Sequence, residues 1–246
     1  MKISARNVAV GQPFPQWRFL QLTLILFSWM IVYPRIQQTW LAHLLLQVMM
    51  LDVMLVTLWA NPEWTHIRKL VIGLLLLSVG ASLIGDLPLP PEYDRINATT
   101  RGVLHLPIVA ACAAGVLTFV FRAERPTVDG IFATVVVYLL IAMIFAQLYA
   151  IVLIWNPDAL HLTVPLDQLN PQARGGELLY FSVVTLSTVG YGDILPNSEI
   201  TRMLAAIEAI TGQFYVAVIV AVLVGTYASH TQEEMRARRS QARRDD

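Results

Sequence analysis

The sequence predicts an all-α membrane protein of six transmembrane helices, with one short re-entrant helix between the fifth and the sixth. Three observations predict it. Of the 246 residues, 56% are hydrophobic and only 14% charged, and the mean hydropathy is +0.59. A soluble domain carries about 25% charged residues. The apolar residues gather in long runs broken by Pro, Gly, Asn or charge, as at Tyr33-Pro34-Arg35, Asn61-Pro62-Glu63 and the stretch from Arg122 to Gly130. The basic residues fall unevenly on alternate connections between these runs. Such a composition excludes a disordered or collagen-like chain and argues against an ordinary cytosolic enzyme. The 17 basic and 17 acidic residues cancel, so no global field points to nucleic acid. Cys112 is the single cysteine, which excludes an internal disulfide framework and a Cys-rich metal site. Met1 to Gln16 is polar and lacks the apolar core of a signal peptide.

A helix needs about 20 mostly apolar residues to cross a bilayer core about 30 Å thick. The runs that meet or approach this length are Phe19–Tyr33, Trp40–Ala60, Leu70–Gly85, Val103–Phe121, Ile131–Trp155 and Met203–Ser229. With the N-terminus inside, twelve of the 17 basic residues lie on the inner side. The other five, Arg35, Arg95, Arg101, Arg174 and Arg202, lie outside. That bias sets both termini on the cytoplasmic side. The segment from Asn156 to Arg202 is the anomaly, because its apolar part, Leu178 to Val189, is too short to cross. Backbone of this kind is tolerated at membrane depth only where protein buries it or it lines a wet cavity.

The short apolar stretch leads into Thr188-Val189-Gly190-Tyr191-Gly192-Asp193. Five fixed residues of this kind arise by chance in about one in ten thousand chains of this length. The segment closely resembles the selectivity signature of potassium channels. The resemblance covers Ile131 to about Ser229, a two-helix pore module; the first 130 residues resemble the peripheral helices of six-span channels only in number and layout.

The resemblance implies a re-entrant pore helix, a selectivity-filter loop and a fourfold homotetramer, since one chain supplies one of the four filter segments. It implies that carbonyls of Thr188, Val189, Gly190 and Tyr191 line potassium sites, with the Thr188 hydroxyl closing the innermost. Gly190 and Gly192 permit backbone angles that a Cβ resists, and Val189 and Tyr191 would point outward against the surrounding helix. The C-terminal end of the pore helix would aim its carbonyls at a central cavity. Potassium is the permeant ligand and no cofactor is implied. Compact loops resemble those of channels of the bacterial inner membrane. The chain divides into a peripheral four-helix unit (1–125), the pore module (131–230) and a short tail (231–246).

Filter support falls to Tyr180, Thr185 and Asp193. Asp193 either braces the filter by bonding the Tyr180 hydroxyl or acts as a solvated charge at the mouth. Many family members carry Glu immediately before the residue matching Thr185; here Val184 stands there. Glu177 either complements the positive end of the pore helix or is an exposed acid. The outer segment holds Asp158, Asp167, Glu177, Asp193 and Glu199 against Arg174 and Arg202, a net charge of minus three per chain. That sign suits cation entry, screened beyond about 8 Å. Gly212 matches the inner-helix glycine at which many family members bend; close helix packing is the other reading. Gly225 is a second hinge candidate. Glu208 on the same helix must face the pore helix or water, because charge is costly in hydrocarbon.

Val103 to Phe121 holds no Arg or Lys, so weak or absent voltage gating is expected. Asp52 lies about 18 Å inside the second span, where a carboxylate costs about 2.5–3.5 kcal/mol. It reads as a proton or ligand switch, or as an interhelical hydrogen bond to Gln21 or Thr23. His43 and Gln47, four apart, share a helix face, and the two histidines His43 and His105 do not make a convincing metal site. Asn97-Ala98-Thr99 fits a glycosylation pattern, a weak one. Arg236, Arg238, Arg239, Arg243 and Arg244 in the tail suit a solvated helix or contact with anionic lipid. No catalytic triad, phosphate-cradling loop, haem or zinc motif is present in the sequence. A non-conducting scaffold and a membrane-embedded enzyme are the competing readings.

Overall fold

Helices dominate the computed structural model, which describes residues 17–36, 48, 51–58, 61, 63–85, 91–122, 127–162 and 171–245. In chain order these form α1 (Arg18–Ile36), a helical segment α2 (51–58), α3 (Thr65–Gly85), α4 (Pro91–Arg122) and α5 (Val128–Trp155). A single 3-10 turn (Pro157–Ala159) and β1 (Leu160–Leu162) follow, then α6 (Pro171–Leu186), β2 (Ile194–Pro196) and α7 (Glu199–Asp245). Among the described residues, three helices are long and apolar enough to cross a membrane: Arg95–Arg122, Val128–Trp155 and Glu199–Ile219. The Trp40–Ala60 run lies largely outside the described residues, as do His43 and Gln47.

Two helices run well beyond the apolar windows that announce them. The window at Val103 to Phe121 sits in a 32-residue helix beginning at Pro91. That helix is about 48 Å long, more than the core thickness of about 30 Å. Its first turns carry Glu92, Asp94 and Arg95, which hydropathy excludes from a span although their backbone is helical. Asn97 and Thr99 lie on this helix, where the Thr99 hydroxyl donates to the Arg95 carbonyl at 2.7 Å. α7 likewise continues from the apolar stretch to Asp245.

The core around α5 is built by residues of α1, α2, α4 and α5, among them Phe19, Leu22, Val53, Ile108, Val116, Val136 and Leu140, all buried. α5 is apolar all round, as expected for a helix enclosed by others. Thr127 caps it by accepting from the Gly130 amide at 3.0 Å. Asp129, in its first turn, accepts from the Phe19 and Leu20 amides at 2.9 and 3.3 Å. One carboxylate therefore fills orphan donors at the start of a second helix. The Thr23 hydroxyl donates to the Phe19 carbonyl at 2.7 Å and lies 3.3 Å from the Phe132 carbonyl. α1 and α5 thus run side by side from a common level, with the start of α1 pinned to the start of α5. Asn61 ties α2 to α4, donating to the Thr57 and Gly115 carbonyls at 2.9 and 3.1 Å. Arg122 and Glu63 form an ion pair at the surface, a contact of small energetic weight.

Candidate functional site: the loop after the short helix

Pro171 opens α6, where its missing N–H is no loss. Sixteen residues give the helix a length of about 24 Å, short of a bilayer core. Its apolar face is held at the centre of the fold by Leu178, Phe181 and Leu186, all buried. Phe181 meets Tyr149 of α5 edge to face at 5.0 Å.

What leaves the helix is set by backbone. The Thr188 amide donates to the Thr185 carbonyl at 2.9 Å. The Val189 amide donates to the Val184 carbonyl at 3.0 Å, with the Gly190 amide at 3.4 Å from the same oxygen. No peptide bond here is cis, and in a planar trans peptide the N–H and C=O point in opposite directions. With the amides of 188, 189 and 190 turned to the helix, the carbonyls of Ser187, Thr188 and Val189 point away from it. Gly190 and Gly192 hold φ at +56° and +79°, and Thr188 holds +58°. The two glycines adopt this left-handed region freely, whereas a β-branched residue there is strained.

The last carbonyls of α6 are engaged within the chain. Those of Val183, Val184 and Thr185 accept from the chain's own amides, and that of Leu186 lies against Gly212 of α7. Val189 and Tyr191 are 52% and 71% exposed within the chain.

Asp193 closes the loop. Its carboxylate accepts from the Tyr180 hydroxyl at 2.6 Å and from the Ile194 amide at 3.1 Å. The Tyr180 hydrogen bond holds the Asp193 carboxyl below its ordinary pKa, and the same bond raises the Tyr180 phenol to about 12. β2 then pairs antiparallel with β1, with Leu160 opposite Pro196, His161 opposite Leu195 and Leu162 opposite Ile194. The Ala159 carbonyl accepts from the Asn197 amide at 2.8 Å, the Ser198 amide at 3.2 Å and the Thr201 hydroxyl at 2.7 Å. Ser198 and Thr201 also cap each other's backbone at the start of α7, Ser198 N–H to Thr201 and Thr201 N–H to Ser198 at 3.1 and 3.2 Å. This is a capping box with Thr in the usual Glu place.

Behind α6 lies Glu208, fully buried within the chain. It accepts from the Tyr149 hydroxyl of α5 at 2.8 Å and contacts the Ser182 hydroxyl of α6. Ser182 also reaches the Ala142 carbonyl at 2.7 Å. Three helices meet at one carboxyl, and neither Tyr149 nor Ser182 stood out in the sequence. Gly212, one turn on, has no room for a Cβ, which would overlap the Leu186 carbonyl oxygen and lie 2.9 Å from its carbon. Gly225 has nothing within 4 Å of such an atom. Tyr215 joins α7 to α5, donating to the Thr134 carbonyl at 2.6 Å. Gln213 bonds the Thr188 hydroxyl at 3.1 Å. Asp52 is half-buried and Glu177 exposed. Thr23, considered as a partner for Asp52, is occupied by the Phe19 and Phe132 carbonyls. Among the described residues no three His, Cys, Asp or Glu side chains gather as a metal site.

A pair of long apolar helices with a short helix and an extended, glycine-bearing loop between them defines the pore module of an ion channel. Residues 133–228 match the family model described as "Ion channel". Similar proteins include Two-pore potassium channel 3 of Arabidopsis thaliana, 33% identical over 112 residues, and Two-pore potassium channel 1 of the same plant, 37% identical over 73. Two pore potassium channel a of Oryza sativa subsp. japonica is 44% identical over 57. These alignments cover 46%, 29% and 23% of this chain. They span 22%, 19% and 16% of the respective relatives, so the chain matches about a fifth of their length. No solved structure matches it. The chain is a membrane protein, and over residues 133–228 it is similar to ion channels, with potassium channels among the proteins it matches.

Proposed function

We propose that four copies of this chain surround one axis and conduct potassium passively through a filter formed by residues 188–192. The observation that carries this reading is the orientation of the peptide units after α6. Amides turned to the helix leave the Ser187, Thr188 and Val189 carbonyls on the opposite side, where they can replace the water oxygens of a dehydrated cation. No bond is made or broken in the transported ion. The exposure of Val189 and Tyr191 supports assembly, because large side chains beside such a loop need cover that their own chain does not supply. The six-span layout, both termini inside and weak voltage dependence complete the proposal, the last because the apolar part of α4 lacks Arg and Lys. Opening would bend α7 at Gly212 or Gly225.

The test is the reversal potential of purified protein in a planar bilayer with potassium on one side and sodium on the other. A value near the potassium equilibrium potential is expected. Robust current reversing near zero would overturn selectivity, and silence from a correctly inserted protein would favour a scaffold.

Tyr180 and Asp193 yield a pH prediction with a definite sign. A carboxyl whose pKa is held low keeps its charged, bonded form until the pH falls below the ordinary carboxylate range. Tyr180→Phe removes the hydroxyl that holds it there. The loss of current on acidifying the outer solution is therefore expected to set in at higher pH in Tyr180→Phe than in the unaltered channel. Coincident titrations would show that the bond does not brace the filter.

A further inference from the structure

We infer that Gln213 is a positioning residue for the innermost cation site, acting through the Thr188 hydroxyl. The inference rests on the proposed reading of Thr188 as the innermost filter residue. The Gln213 side-chain nitrogen donates to Thr188 Oγ1 at 3.1 Å across 25 residues of chain. Two features of the fold make this contact. Gly212 lets α7 approach the end of α6 until its backbone meets the Leu186 carbonyl. The next residue, Gln213, is thereby presented beside the first residues of the loop. Both Gln213 and Thr188 are exposed within the chain, so the pair borders open space and is not an incidental contact inside a packed core.

The chemistry gives the pair a role. A threonine hydroxyl has one proton and two lone pairs. The amide occupies one lone pair and leaves one for a cation. It also stops rotation of a side chain whose backbone, at φ +58°, already lies in a strained region. A fixed oxygen binds a cation more tightly than one that must first be ordered. Gln213 itself does not touch the ion at the filter; its effect passes through Thr188 Oγ1.

The probe is barium added to the inner side of the purified full-length chain in a planar bilayer. Barium is a divalent cation close to potassium in size, so the innermost ligands dominate its block. Gln213→Leu is expected to weaken the block about 2- to 10-fold, the worth of one net hydrogen bond. Gln213→Asn, one methylene shorter, is expected to do the same. The potassium–sodium reversal potential should hold in both, because the outer carbonyl sites are untouched. In a Thr188→Val background, which lacks the hydroxyl, Gln213→Leu should have no further effect on the block. An unchanged or strengthened block in Gln213→Leu, or an equal effect in both backgrounds, overturns the inference and leaves the channel reading standing. A wild-type protein without potassium-selective current overturns the channel reading and this one with it.

Discussion

Glu208→Leu is expected to lower the stability of the folded chain by about 2–4 kcal/mol, whereas Glu208→Gln is expected to stay close to the parent. Leu leaves the Tyr149 hydroxyl buried without its acceptor and removes the contact with Ser182. An unsatisfied buried polar group costs about 1–3 kcal/mol, and the bond lost with it adds to that. The contrast with Gln follows from counting protons. Ser182 has one, yet it lies within bonding distance of both the Ala142 carbonyl and the Glu208 carboxyl, and neither a carbonyl nor a carboxylate can donate. All three contacts are satisfied if Ser182 donates to Ala142 and the carboxyl donates to Ser182 while accepting from Tyr149. A glutamine amide reproduces that pattern, with its nitrogen toward Ser182 and its oxygen toward Tyr149. Thermal unfolding of the purified protein in detergent reads the difference. If Gln is as damaging as Leu, Glu208 works as a carboxylate and the proton assignment is wrong.

Gly212→Ala is expected to be the more damaging of the two inner-helix glycine substitutions. The added methyl group meets the Leu186 carbonyl, which is backbone at the end of α6 and cannot rotate aside. Overpacking of this kind costs about 1–3 kcal/mol and moves the backbone. The backbone it moves leads directly into Thr188. Gly225→Ala, with nothing within 4 Å, should be neutral or slightly stabilising through helix propensity. The measurement is again thermal unfolding, paired with potassium current in the bilayer. Wild-type stability and current in Gly212→Ala would mean that α7 does not sit against α6 as described. Bending at Gly212 is a separate proposal, since close packing alone accounts for glycine there.

How much of this was readable in advance depended on how far along the chain the physics reached. The short helix, the loop and its two glycines are legible because they depend on neighbours: apolar residues one turn apart, then positions where a Cβ is unwelcome. Glu208 was legible as a problem, a charge-bearing residue in an apolar helix. Its solution was not, because Tyr149 and Ser182 lie 59 and 26 residues away and resemble ordinary residues of apolar helices. Gln213 was missed for the same reason, as was the Ala159 carbonyl, a backbone atom with no side-chain signature at all. The apolar span at Val103 to Phe121 does not reveal that its helix begins at Pro91. Hydropathy registers which residues suit lipid, whereas a helix is held by its backbone and includes Glu92, Asp94 and Arg95.

The β1–β2 ladder has a consequence for loop length. Three residue pairs, with the Ala159 carbonyl beside them, close a loop that contains α6 and the glycine-bearing segment after it. Its two ends are joined independently of what lies between Leu162 and Pro171. Lengthening that stretch adds only the entropy of a larger closed loop, about 0.6 kcal/mol for each doubling. The loop after α6 meanwhile remains tied to that helix through Val184 and leads into β2 through Asp193. Insertions between β1 and α6 are thus compatible with an unchanged loop after α6.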